Sequence, residues 1–569
     1  MLTVACSGAE PPPDVLIVGA GISGLSAALE AARAGARVEV LDMDTVGGGH
    51  AIMSNGVICL VDTPLERAKG VADSPALAAS DFFRRGQDAN PAWVWLYVRD
   101  SKTWIYDWLT QLGVSFYGLA KPPGNSVPRL HFTRGKGWGL VGPIFRECLR
   151  YPNINFVWST KLEKLIKEQG AIVGVVALNL RTGKRKSYRA SHVIIATGGF
   201  GSNLRLIREH WPAGLPKPDR LLAGASPFAV GSGMKIVHKA GGGVSRLDHQ
   251  WNYVLGLPDP RDLRRQRGLA SFDLRSIWVN RDGQRFTREF GDEKVNLAAL
   301  LHQPDKTYWS IFDANGVNSF SVTLAGLGWQ NQSRVNAFVF QTPGLALRAS
   351  SLTELAKRAG ISPSGLVTTV ARYNGFVAKG VDPKFHSFQG RKPYPIKKPP
   401  FYAVQFFPIT RKTMGGVDVD TKCRVLSKSG RPIPDLYAVG EVTGFGGING
   451  KAALEGTFLG PCILMGRIAG RATTAHLQRR LAPRLRTIPP PIPPKHFSNH
   501  ACTRCHNLTE EVQEQRPGYW HFEHSHRYVL ARKYKCAICH SSFYPFKPSR
   551  HKLNYLSLSS TCGTCHGVH

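Results

Sequence analysis

Six of the eleven cysteines fall in three equal spacings near the C-terminus: Cys502-Thr-Arg-Cys505-His506, Cys536-Ala-Ile-Cys539-His540 and Cys562-Gly-Thr-Cys565-His566. Two thiols three positions apart can each add across one vinyl group of a porphyrin, and the adjacent His then reaches the iron as its proximal ligand. A zinc ribbon built from Cys-x-x-Cys pairs leaves the repeated His unexplained and takes an even number of pairs. The pattern is therefore the attachment signature for three c-type haems. Residues 496–569 contain ten His and no Met. With His506, His540 and His566 as proximal ligands, the distal positions fall to a set that includes His496, His500, His521, His524, His526 and His551. Bis-His coordination and low potentials are expected.

A second chemistry lies at the other end of the chain. The apolar run Val15 to Val18 leads into Gly19-Ala-Gly21-Ile-Ser-Gly24, then a helix-forming stretch, then Arg37-Val-Glu-Val-Leu-Asp42. Glycines at this spacing let the backbone approach a pyrophosphate at a helix N-terminus, and an acid after the second strand is placed to take ribose hydroxyls. The strand, turn, helix, strand and acid occur in the order that dinucleotide binding requires.

Further segments point to FAD. Gly47-Gly48-Gly49-His50, the strand ending in Ala196-Thr197-Gly198-Gly199, and Gly440-Glu441 resemble the later nucleotide and ribityl contacts of flavoproteins built on the two-dinucleotide-binding fold. Asn280-Arg-Asp-Gly283-Gln-Arg285-Phe286, Thr413-Met414-Gly415-Gly416 and Ala453-Leu454-Glu455-Gly456 extend the likeness, with Leu454 and Glu455 counted among the cofactor-binding positions. Over most of residues 12–480 the chain resembles the FAD-dependent fumarate reductase, succinate dehydrogenase and 3-oxosteroid 1-dehydrogenase flavoproteins.

That resemblance implies an α/β fold with a split, Rossmann-like FAD domain over 10–255 and 396–480 and an α+β capping domain inserted at 256–395. Residues 481–495 read as a stiff proline-rich linker. Residues 496–569 allow only about 25 residues per haem, too few for a side-chain core, so the macrocycles themselves must be the core of a triheme module with little regular structure.

The resemblance also implies the chemistry, which is hydride transfer from flavin N5 to an activated C=C bond of an α,β-unsaturated acid or ketone. Fumarate reductases place a carboxylate-clamping His before the Thr-x-Gly-Gly stretch, where this chain has Arg411 and Lys412. Counted without gaps, their catalytic Arg corresponds to Glu293, which argues against simple fumarate reduction and leaves Arg288, Lys294 and Tyr253 as candidate proton donors. Arg129, His131, His249 and Trp251 are further pocket candidates. His50 either carries FAD covalently, as a His does in membrane-complex relatives, or lies beside a non-covalent flavin. Two other readings stay open: a 3-oxosteroid-like dehydrogenase that delivers electrons to the haems, and a non-catalytic multihaem electron carrier.

The formal net charge is +34, from 73 Lys and Arg against 39 Asp and Glu. Residues 496–569 hold 9 basic and 4 acidic residues and so contribute +5 of it. The excess is spread over the large N-terminal part without a basic block, so a small anionic or ketone substrate and a quinol-linked or other cytochrome partner are expected, and nucleic acid is not. No apolar run is long enough to span a bilayer, so the protein is soluble or at most peripheral on a membrane. Haem c attachment implies a periplasmic or other extracytoplasmic location. No signal peptide is evident before the first strand, and a truncated start would reconcile the two.

Overall fold

The structure, a computed structural model, describes residues 12–477 and 483–487 apart from 45–46, 181, 260–261, 263, 265, 323–338 and 476. The three Cys-x-x-Cys-His motifs, the candidate distal histidines from His496 to His551 and most of the proline-rich segment lie outside the described residues.

A six-stranded sheet forms the base, in the order Arg424–Leu426, Pro432–Ala438, His192–Ile195, Val15–Val18, Val38–Leu41, Ile154–Val157. All its pairings are parallel except the first. Val15–Val18 is buried at every position, as expected for a central parallel strand covered on both faces. The helix Ile22–Arg33 crosses one face, and the helix Leu459–Ala472 packs on it through small residues. A Cβ on Gly466 would lie 2.2 Å from Ser23 O, and one on Gly470 would lie 2.5 Å from Ala27 O, so the two helices can meet this closely only with glycine there. The crossing is pinned by Glu30, whose carboxylate accepts from Arg467 Nε at 2.8 Å and Arg471 Nε at 2.7 Å.

A second sheet runs in the order Ile277–Val279, Tyr308–Phe312, Phe401–Thr413, Gln250–Pro258, Gly268–Asp273, Phe320–Val322, with Leu222–Ala223 and Ala346–Ala349 also paired to the long strand Phe401–Thr413. The helices Leu352–Ala359 and Pro363–Lys379 cover part of this sheet through a hydrophobic cluster of their own that includes Ile277, Ile311, Leu355, Leu366 and Tyr373. Arg285, from the Asn280 to Phe286 motif, is buried against Glu289, Asp382 and Ser387 and fastens the turn after Ile277–Val279 to the segment that follows the helix Pro363–Lys379. The strand Phe401–Thr413 stays paired in this sheet to its last residue, where Thr413 accepts from Phe200 N and donates its own amide to Glu441, two residues that follow strands of the first sheet.

Candidate active site

The glycine-rich turn at the end of Val15–Val18 is built by contact. Gly19 has φ +116° and a Cβ there would sit 2.3 Å from Ala196 O, while a Cβ on Gly24 would lie 1.8 Å from Gly19 O. Gly21 differs, with no atom within 4 Å of the position a Cβ would take. It faces Gly48 across an isolated bridge, and Gly49 approaches it so that a Cβ would be 3.1 Å from Gly21 Cα. Gly198 likewise opens onto free space at φ +73°, and beside it Thr197 Oγ1 is buried without a partner. Asp42 caps the floor by accepting from the Ala20 and Asp44 amides, and burial together with Asp44 pushes its carboxyl up to about 7. Bare backbone, an open glycine edge and an orphaned hydroxyl form a cradle that a Cβ would fill, which fits a dinucleotide.

Glu441 sits where three segments converge. Its Oε1 accepts from Thr413 N at 3.0 Å, and a Cβ on Gly199 would lie 2.7 Å from the same oxygen. Gly440 before it, at φ +77°, passes so near Ser23 that a Cβ would meet its Oγ at 2.2 Å. Burial pulls the Glu441 carboxyl upward, but His50, Lys412 and the Thr413 amide outweigh it and hold it at about 2.

His50 lies among charges. Its Nδ1 is 3.7 Å from Glu441 Oε2 and 3.4 Å from Lys412 Nζ, and its Nε2 is 3.0 Å from Arg411 Nη1. Burial, then the Lys412 charge, drives the imidazole down to about 3. The ring is neutral at physiological pH, with Nε2 accepting from Arg411 and Nδ1–H turned to Glu441. Arg411 also donates to Gly224 O, while its Nε is buried with no partner. Burial lowers Lys412 to about 8 despite Glu441.

Arg411 and Lys412 form one wall of a cavity of about 320 Å³. Most of its lining is apolar, including Leu255, Phe272 and Phe458. Glu455 lines it too, accepting from Trp251 Nε1 at 2.8 Å and Tyr253 OH at 3.0 Å. Glu293 lines the same cavity and its Oε2 is buried without a partner.

The predicted residues thus divide. Arg411, Lys412, Tyr253, Trp251, Glu455 and His50 are brought together. Leu454 is buried beside them, and Gly124 across the cavity rim is close enough that its Cβ would meet Leu454 Cδ2 at 2.8 Å. Arg288 donates to Gln389 O at 3.0 Å, and neither it nor the exposed Lys294 is among the residues lining the cavity. Arg129 is fully buried between Asp73 and Asp81, His131 bridges Thr63 Oγ1 and Arg129 O, and His249 pairs with Asp88. These three sit in polar networks of the fold. Arg85 was not foreseen. It pairs with Asp292 and lies over the Trp251 ring at 5.5 Å, and no local motif marks it.

A family model described as an FAD binding domain matches residues 14–459. The chain belongs to this family. It is 32% identical over 555 residues to a KsdD-like steroid dehydrogenase of Mycobacterium tuberculosis, spanning 84% of this chain and 98% of that protein. It is 32% identical over 478 residues to a fumarate reductase (cytochrome) of Shewanella frigidimarina, spanning 82% and 78% respectively. The solved open conformation of a flavocytochrome c3 fumarate reductase superposes with a TM-score of 0.67 at 28% identity, covering 83% of this chain and 79% of that one. The flavoprotein is an FAD-dependent oxidoreductase acting on carbon–carbon double bonds. Gly19, Gly21, Gly24, Asp42, Gly48, Gly49, Ala196, Thr197, Gly198, Gly440 and Glu441 are the positions that would hold FAD.

Proposed function

We propose that this flavoprotein is an exported flavocytochrome c that reduces the C=C bond of a conjugated carbonyl compound with an apolar body, using electrons delivered through three c-type haems by a quinol-linked or other cytochrome. The observation that carries the substrate reading is the buried, unpartnered Arg411 Nε in the wall of an apolar cavity, a donor prepared for a ligand oxygen. When bound, FAD supplies two-electron hydride chemistry. Arg411 and Lys412 would polarise the carbonyl so that negative charge developing on its oxygen is met by fixed positive charge in a site of low polarity. Neutral His50 accepts from Arg411 through Nε2, and the Glu441 carboxylate attracts Lys412. Both His50 ring nitrogens already face polar partners, which supports FAD held without a bond to this His.

Charge favours a ketone over a dicarboxylate. The two cations stand against Glu441 and Glu455, so the cavity lacks the uncompensated positive charge that a doubly charged substrate needs. The likeness to a steroid dehydrogenase over 98% of its length supports a second reading, in which a saturated ketone is oxidised and the haems carry electrons away. A substrate screen with reduced viologen, following haem and flavin reoxidation separately, tests both. Reoxidation by enones supports the reductase, and inertness to every activated alkene with rapid reduction by a saturated ketone overturns it.

A further inference from the structure

We propose that Glu293 is the proton donor of this site, a neutral carboxylic acid that protonates the substrate carbon next to the carbonyl. The inference deepens the reductase reading and rests on it.

Two carboxyl groups face the cavity, and their surroundings differ. Glu455 accepts from Trp251 Nε1 at 2.8 Å and from Tyr253 OH at 3.2 Å through Oε1 and 3.0 Å through Oε2, and Arg411 and Lys412 add positive charge near it. Burial raises the Glu455 carboxyl, and these donors and cations oppose that rise. Glu293 has a buried Oε2 that meets no donor at all, and the Val254 backbone is its one stabilising hydrogen bond. Negative charge on Oε2 would meet neither water nor a protein donor, which favours the protonated group.

The charged groups around Glu293 agree with that state. Glu455 repels a second negative charge, and so does Asp292, although Arg85 neutralises Asp292 through a paired contact. Lys294 is exposed on the next residue, Tyr253 is half-buried, Tyr308 is buried, and Arg411 and Lys412 line the same cavity. Glu293 opens the helix Glu293–Leu301, whose N-terminal dipole favours an anion. Burial and Glu455 outweigh that and push the carboxyl up to about 8. Tyr253 is the less suitable acid, because its hydroxyl hydrogen is already given to Glu455 and its phenol is held well above the ordinary range.

The reaction balances without another reactant. Glu293 would give its proton to the α-carbon through the π electron pair while the β-carbon takes the hydride that bound, reduced FAD would supply, so two C–H bonds form as the π bond is lost and Glu293 is left as a carboxylate. Glu293 is partly exposed as a residue, so solvent can restore the proton. In the oxidative direction the same group would act as the base.

The test uses the full haem-bearing chain and Glu293→Gln, which keeps the shape of the neutral acid. Infrared difference spectra of wild type minus E293Q should show a protonated-carboxyl C=O band that titrates away near pH 8. With an enone that wild type reduces, E293Q should lose at least 100-fold in turnover, while flavin reduction through the haems and binding of a saturated ketone analogue change less than threefold. Glu293→Asp should recover part of the rate. Absence of the carboxyl band at pH 7, or E293Q turnover within threefold of wild type, overturns the assignment. Wild type that reduces no enone marks instead the failure of the reductase reading.

Discussion

Replacing Arg411 with Met tests the carbonyl-polarising role most directly. The guanidinium is 4% exposed, and its Nη1 serves Gly224 O and His50 Nε2 while its Nε has no protein partner. If a substrate oxygen takes Nε, removing one fixed donor to a developing oxyanion costs about 2.7–4 kcal/mol, or a factor of about 100–1,000 in kcat. The fold also loses stability, because Gly224 O and His50 Nε2 are each left without a donor at about 1–3 kcal/mol, an effect a thermal melt of the holoprotein would register. The assay is viologen-linked turnover per bound FAD, with FAD content measured on the same samples. Arg411→Lys keeps the charge but not the planar fork, so its kcat should fall between wild type and R411M. A kcat per bound flavin within threefold of wild type in R411M would refute the reasoning. FAD loss at unchanged kcat would show that Arg411 holds the cofactor rather than the carbonyl.

Glycine substitutions separate folding from cofactor binding: Gly24→Ala should fail to fold, because its Cβ would lie 1.8 Å from Gly19 O, whereas Gly21→Ala should keep its apoprotein melting temperature and lose the flavin absorbance. Lys412 deprotonates near pH 8 in the folded protein, so its positive charge is present below that pH and lost above it. Lys412→Arg, charged throughout, should therefore remove one component of the alkaline fall in kcat, and the remaining fall near pH 8 should vanish only when E293Q is added. Glu30→Gln leaves Arg467 without its buried carboxylate partner and should destabilise the flavin domain by about 3–5 kcal/mol in denaturant melts, with kcat per bound FAD unchanged. A pyridine haemochrome assay should count three haems per chain and two after Cys536→Ala with Cys539→Ala, and a zinc-loaded, haem-free protein would overturn the haem reading.

The parts of the fold readable from sequence were those encoded locally. Gly19, Gly21 and Gly24 sit within one turn, and their spacing is itself the geometry that a pyrophosphate needs, so the strand Val15–Val18, the helix Ile22–Arg33 and Asp42 follow in order. The cavity is different in kind. Trp251 and Tyr253 reach it through the pairing of Gln250–Pro258 with Phe401–Thr413, which slips between Trp251 and Asn252 and again between Tyr253 and Gly256. Each slip re-aims the side chains that follow, and strict alternation along the strand does not foretell it. Arg129 and His131 show the converse error of expectation. Both are chemically suited to a pocket, but Asp73, Asp81 and Thr63, more than 45 residues away in sequence, absorb their hydrogen bonds.

The ungapped count sets Glu293 where the resemblance to fumarate reductases implies a catalytic Arg, and on that reading a cation is missing from the position where a proton is delivered. The remaining residues change with it. A cavity that contained Arg at that position together with Arg411 and Lys412 would hold three cations against Glu441 and Glu455, a net positive charge suited to an anion. Arg85, which also lines the cavity, is cancelled by Asp292, so with Glu293 protonated the remaining count becomes two against two. The site retains an acid, retains fixed positive charge at the carbonyl, and has no net attraction for a second carboxylate. The same replacement thus moves the proton donor from a permanently charged group to a titrating one and moves the substrate from a dicarboxylate to a neutral ketone. The two consequences stand or fall together: an enzyme that preferred a dicarboxylate yet lost its alkaline limb in E293Q would contradict this account of the charge.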